Sequence, residues 1–127
     1  ALRECYRILK TGGIAIYTVP FQWHIHEEPN DYYRYTKYGL KYLLNKANFT
    51  NIDIKANTGF WSTIILKFNY HTFRYVRGPI FIRLFLRTVL LPFWFLGQII
   101  APILDKYDPN ERETASYTVV AEKPHCP

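Results

Sequence analysis

The sequence predicts an α/β fold, and three observations predict it. The run from Ile14 to Val19 is almost continuously apolar and β-branched, which suits a buried strand, and Pro20 closes it. Helical spacing of apolar residues flanks that run on both sides. Two further segments, Ile52 to Asn57 and Ser116 to Lys123, alternate with period two. Helix, buried strand, helix and strand, with a last strand reached after a long excursion, is an α/β order. At 127 residues with 49% hydrophobic and 18% aromatic side chains, the chain fits one domain and can bury a core.

The elements follow from local chemistry. Leu2, Cys5, Tyr6 and Leu9 share one helical stripe, and Gly12-Gly13 offers a left-handed stop. The strand from Ile14 to Val19 reads as buried on both faces, as in a parallel sheet. Thr36 is placed as the N-cap of a second helix in which Leu40, Leu43, Leu44 and Ala47 share a face, with Lys37, Lys41 and Lys46 left to water. Asn48 can cap its other end. Ile52, Ile54 and Ala56 alternate with Asp53, Lys55 and Asn57 as a half-buried strand, and Tyr117, Val119 and Ala121 mark one face of the last.

Composition narrows the setting. The chain contains no Met, so Ala1 reads as the start of a fragment or processed product. Residues 1–10 carry Arg3, Glu4 and Arg7 among apolar positions, which is no signal peptide. Cys5 in a helix and Cys126 near the end do not make a disulfide framework, so a reduced, cytoplasmic setting is the default. The net charge of +6 has one origin. Lys55, Lys67, Arg74, Arg77, Arg83 and Arg87 lie between Ile54 and Leu104, where there is no Asp or Glu; elsewhere the two signs balance.

The excursion at about 60–108 is aromatic, basic and very apolar. Trp61 to Arg77 has a helical reading, with a strand reading left open by Ile64-Ile65. Gly78-Pro79 breaks it, and Pro92, Gly97 and Pro102 are expected to interrupt the apolar run that follows. The uncharged stretch between Arg87 and Asp105 is shorter than the roughly 20 residues of a spanning helix. Three roles are open to it. A buried cap over the sheet ranks first, a membrane-surface hairpin second, and a nucleic-acid surface a distant third, because Val89 to Ile103 is too apolar for a nucleic-acid groove.

Charged, aromatic and imidazole groups crowd into His26 to Leu40, HEEPNDYYRYTKYGL, on the connection between strand and helix where binding groups commonly sit. His24 and His26 alternate on an extended segment beside Glu27, but His71 and His125 are isolated from them, so no metal is expected.

The succession Leu2-Arg3-Glu4-Cys5-Tyr6-Arg7-Ile8-Leu9-Lys10-Thr11-Gly12-Gly13, followed by the strand Ile14 to Val19, resembles the second half of class I S-adenosylmethionine-dependent methyltransferases. There a helix ending in Leu-Lys-Pro-Gly-Gly leads into the fifth strand; Thr11 stands here in place of the proline. The stretch His26 to Leu40 is similar to the loop and helix after that strand in the methyltransferase 11 type. Asn51 to Asn57 and Ser116 to Lys123 would match the sixth strand and the antiparallel seventh. The resemblance implies a partial Rossmann-like sheet of strands five to seven with a helical insertion, the seventh strand lying between the other two and Ile14 to Val19 left with an open edge. The glycine-rich turn that holds the cofactor has no counterpart, since Gly12-Gly13 precedes a strand rather than following one. Residues 1–127 would then be the C-terminal part of one methyltransferase domain, with S-adenosylmethionine bound upstream of Ala1 and the chain inactive alone.

On that reading His26 is the candidate base for the acceptor, with Glu27 or Glu28 as its orienting carboxylate and His24 as substitute. Tyr32, Tyr33 and Arg34 face the acceptor, Arg34 as a clamp for an acidic group or in a pair with Asp31 or Glu28, while Tyr35 and Tyr38 pack at the helix entrance. The acceptor would be a small molecule or a lipid- or glycan-linked group. The rival is a non-enzymatic α/β module attached to membrane through residues 60–104.

Overall fold

The computed structural model describes residues 1–125, so Cys126 lies outside the described residues. The chain divides into two compact units, one made of Ala1–Asn57 with the segment from Ala115 onward, the other of Thr58–Thr114.

The first unit holds α1 (Leu2–Ile8), β1 (Ile14–Pro20), α2 (Lys37–Lys46), β2 (Thr50–Ala56) and β3 (Ser116–Glu122). Its sheet has the order β1-β3-β2, with β3 antiparallel to both neighbours, so β1 and β2 run parallel to each other. Tyr17 faces Val119 across one ladder and Ile54 faces Val119 across the other. Tyr117, Val119 and Ala121 are buried on one face, where α2 adds Leu40 and Leu44. Leu44 is almost fully buried, and truncating such a side chain to Ala costs about 2–5 kcal/mol.

The ends of α2 are set by the predicted residues. Thr36 Oγ1 accepts from Gly39 N at 3.1 Å, the N-cap bond of α2. Asn48 takes the left-handed conformation beyond its other end, φ 68°, and donates its backbone N–H to Asn45 O. Gly12 is also left-handed, φ 72°, but α1 stops earlier than the Gly12-Gly13 turn, at Ile8, with Leu9 as an extended C-cap that donates to Cys5 O. The carbonyls at the end of α1 are met from afar: Lys123 Nζ donates to Tyr6 O at 2.9 Å and Leu9 O at 2.8 Å, and lies over the Tyr6 ring. Chain closure at Gly12-Gly13 is tied to the same lysine, since Gly12 N donates to Lys123 O and Lys123 N to Gly13 O.

One expectation is corrected. The strand β1 is not buried on both faces: Ala15, Tyr17 and Val19 pack against the core, while Ile14 and Ile16 are exposed, Ile16 at 69%. An antiparallel sheet tolerates one solvated face, and among the described residues α1 and α2 supply packing partners on the Tyr17 side.

The second unit is a helical hairpin with a short 3-10 turn, Glu111–Glu113. Its helices are α3 (Phe60–Phe73) and α4 (Ile80–Tyr107). The strand reading of Ile64-Ile65 is thereby set aside. The interruptions expected in α4 do not occur either, because the helix runs through Pro92 and Pro102 for 28 residues. Each proline lacks only one N–H, and the bonds of the flanking turns carry the helix past it. Along α4 the less exposed positions are Arg83, Leu86, Leu90, Trp94, Gly97, Ala101 and Leu104, a three-four spacing that faces α3. Gly97 permits close approach there, since a Cβ would meet Ile65 Cγ2 at 3.0 Å.

The N-terminus of α3 has no capping side chain of its own. Asp105 fills that role from α4, accepting from Gly59 N at 3.2 Å, Trp61 N at 2.8 Å and Ser62 N at 3.1 Å. Replacing Asp105 by Ala removes three acceptor contacts and should cost roughly 1–2 kcal/mol. Urea unfolding followed by tryptophan fluorescence checks this; an unchanged midpoint would show that water caps α3 equally well.

Candidate functional site

The connection between β1 and α2 starts where Pro20 pairs with Ser116 and Phe21 N donates to Ala115 O. It ends at the Thr36 cap. Both ends are therefore fixed by the sheet and a helix, and the chain between them folds around one carboxylate.

That carboxylate is Asp31, whose side chain is only 8% exposed. Both terminal guanidinium nitrogens of Arg34 donate to it, a bidentate pair in which Nη1 bonds Oδ1 and Nη2 bonds Oδ2. Asp31 Oδ2 also accepts from His26 N at 3.3 Å and lies 3.5 Å from His26 Nδ1. Arg34 has two further acceptors, His24 O through Nη2 and Tyr33 O through Nη1, both at 3.1 Å. His24, His26, Asp31 and Arg34 thus form one polar cluster.

The cluster fixes a tautomer. His26 Nδ1 lies 3.1 Å from His24 O, and a carbonyl oxygen can only accept. Nδ1 therefore carries the proton in the neutral ring, and Nε2 presents its lone pair outward. His26 is 39% exposed, so an acceptor can reach it. An acceptor oxygen or nitrogen placed against Nε2 could lose its proton there.

The other sequence-predicted residues take different places. Glu27 and Glu28 are exposed, and the carboxylate beside His26 is that of Asp31 rather than either of them. Tyr32 and Tyr33 are exposed, with rings 6.4 Å apart, and Tyr32 Oη donates to Asn30 Oδ1 at 3.1 Å. Tyr35 is half-buried against the core and stacks on Tyr33 at 5.6 Å. Tyr38 does not pack at the helix entrance; it is 84% exposed, because its position in α2 points away from the Leu40 and Leu44 stripe. An apolar cavity of about 220 Å³ under α2, lined by Tyr17, Val19, Tyr35, Leu40 and Leu43 among others, takes no polar group from the cluster. The pairing of Arg34 with Asp31 is the one the sequence offered; what sequence reasoning missed is that the same carboxylate, rather than Glu27 or Glu28, stands beside His26.

Cofactor fit can be judged from the strand-to-helix turns. The turn from β2 into α3 carries Gly59, but a Cβ there would lie 2.5 Å from the Asp105 carboxylate, and the N–H groups around it are taken by that same carboxylate. An anionic group meets an occupied helix terminus. The described residues therefore do not fit S-adenosylmethionine in the manner of a glycine-rich cofactor turn. Among them, too, no three His, Cys, Asp or Glu side chains gather as a metal site.

No protein-family model matches the chain, and no curated protein matches it. A solved structure, the phosphoethanolamine N-methyltransferase 2 of Haemonchus contortus in complex with phosphomonomethylethanolamine and S-adenosylhomocysteine, is similar at TM-score 0.47 and 16% identity. The match covers 98% of this chain, which spans 29% of that one.

The Arg34 guanidinium holds the Asp31 carboxyl down at about 2, against an ordinary 3.8, with the His26 backbone N–H assisting. A carboxyl held low in the folded state adds stability that is complete above its ordinary value and lost as pH falls toward 2. Carboxyl carbon NMR should place the Asp31 midpoint near the bottom of that range, and Arg34→Gln should return it toward 3.8. An Asp31 midpoint at 3.8 in the unaltered protein would mean that the bidentate pair does not persist in solution.

Proposed function

We propose that this chain supplies the acceptor-side half of an S-adenosylmethionine-dependent methyl transfer to a small-molecule or lipid- or glycan-linked acceptor. The observation that carries the reading is strand order. The last strand, β3, enters antiparallel between two strands that are parallel to each other, β1 and β2. This is the arrangement implied by the resemblance at Leu2 to Val19, and a simple meander would not produce it. The Leu-Lys-Thr-Gly-Gly turn before β1 supports the same reading.

Within that function His26 takes the acceptor proton at Nε2, His24 O and Asp31 hold the ring, and Arg34 holds Asp31. Glu27, Glu28, Tyr32 and Tyr33 are exposed around the cluster and would contact the acceptor. Arg34, committed to Asp31, positions rather than clamps. The cofactor would be held by residues outside this chain, against the open edge of β1.

The test uses the protein together with any chain that flanks these residues. Methyl-deuterated S-adenosylmethionine is supplied, and small-molecule, lipid and glycan fractions are searched for the label by mass spectrometry. His26→Asn should lower kcat by about 10²–10⁴ with cofactor affinity unchanged. Full activity in that variant would remove His26 from the reaction. Absence of both label and cofactor binding in the flanked protein would remove the methyl-transfer reading altogether.

A further inference from the structure

The second unit presents a surface that the methyl-transfer reading does not use. A water-exposed helix shows one apolar stripe, and the stripe of α4 is spent against α3. The rest of its circumference is apolar as well. Phe93 and Phe95 lie about 200° apart on the helix, yet are 69% and 65% exposed. Between Thr88 and Leu104 only Thr88 and Gln98 carry polar side chains apart from the Trp94 indole.

Three polar side chains of the hairpin bond within it. Trp94 Nε1 donates to Thr72 Oγ1 at 2.9 Å, and Asn69 Nδ2 donates to Trp94 O at 3.4 Å. Thr88 Oγ1 bonds Leu84 O at 2.9 Å within its own helix. Small residues, Gly97 and Ala101, sit four apart where the helices meet. Internal satisfaction of this kind is what a hydrocarbon environment demands.

Charge names the occupant. Arg74, Arg77, Arg83 and Arg87 cluster around the α3–α4 turn, in a stretch without a single acidic residue. Arg83 and Arg87 lie on the side of α4 toward α3, with Arg87 over the Phe73 ring at 5.7 Å. Phe81, Phe85, Phe95, Ile99 and Ile103 fall on the opposite side by helical spacing and are all exposed.

We propose that the α3–α4 hairpin lies in the plane of one leaflet of an anionic lipid bilayer, with α4 toward the acyl chains and the arginines at the level of the phosphates. By length and composition alone α4 could cross a membrane. The hairpin as a whole is not built to do so. Its 14-residue partner α3 spans only about 21 Å, short of the ~30 Å hydrocarbon core, and carries Lys67 at mid-length. Crossing tip first would also carry the arginine cluster through the core.

This proposal stands apart from methyl transfer, and its readout involves none. The 127-residue chain is floated with vesicles of phosphatidylcholine alone and of phosphatidylcholine mixed with phosphatidylserine. It should float with the anionic vesicles and be released by salt. Arg74→Gln with Arg77→Gln, two exposed positions, should weaken partitioning about 25-fold, roughly fivefold for each arginine. Phe95→Trp, which needs no repacking, should show added quenching by lipids brominated on the acyl chains, strongest for bromines nearer the headgroup. Failure to float, an unchanged partition coefficient in the arginine variant, or an unquenched reporter each overturns the proposal. So does a salt-stable oligomer that ignores vesicles, which would make a second copy the cover, and so does quenching strongest at the bilayer centre, which would make the hairpin a spanning one.

Discussion

The central place of β3 is the constraint on which the first unit depends. Its two edges are both consumed, by β1 and by β2, and its Val119 and Ala121 are among the most deeply buried side chains in the chain. A strand that arrives last in sequence and lies in the middle must be accommodated by everything placed before it. The parallel pair β1 and β2 share this sheet through the antiparallel strand between them. The same strand organises its periphery: Lys123, one residue beyond it, closes the end of α1, and Ser116, at its start, pairs with Pro20 where the polar connection leaves β1.

Asp31 plays the corresponding part for the connection. Phe21 and Tyr35 anchor the two ends of the loop on the core, and between them charge and hydrogen bonding order the chain. Arg34 satisfies Asp31 and also reaches back to His24 O, which in turn orients the His26 ring. The guanidinium is the main cause that holds the Asp31 carboxyl down at about 2, with the His26 backbone N–H assisting. The neutral His26 ring thus keeps its proton on Nδ1, the side of His24 O and Asp31, and turns Nε2 away from the ion pair.

Local chemistry made the elements legible. Thr36 before an amphipathic run and Asn48 after it each dictate a boundary through short-range bonds, and each is found where the residues place it, whereas α1 ends at Ile8, ahead of the Gly12-Gly13 turn. What was not legible depends on partners distant in sequence. The run Ile14 to Val19 states that a strand is apolar, not which of its faces is covered, and Ile14 and Ile16 are left exposed. Pro92 and Pro102 argue for breaks, yet one missing donor in a long helix is outweighed by its neighbouring turns. Asp105 caps a helix by accepting from Trp61 N, 44 residues before it, which no local pattern encodes. Within the connection the residue types were readable, but choosing among Glu27, Glu28 and Asp31 required the path of the loop.

The net charge acquires a sharper meaning once the fold is known. The excess of +6 is a property of one stretch rather than of the whole surface. The first acidic residue after the basic stretch is Asp105, and its oxygens are taken up by the N-terminus of α3 rather than by any arginine. Had an aspartate or glutamate stood within α3 or α4, one helical turn from Arg74, Arg83 or Arg87, an internal ion pair would have blunted the field around the turn. Without one, the four arginines keep their charge beside the most apolar helix in the molecule. Apolar surface and unneutralised positive charge oppose each other in water, where the first favours collapse and the second repels its own kind. At the anionic lipid surface proposed for the hairpin both would be satisfied together.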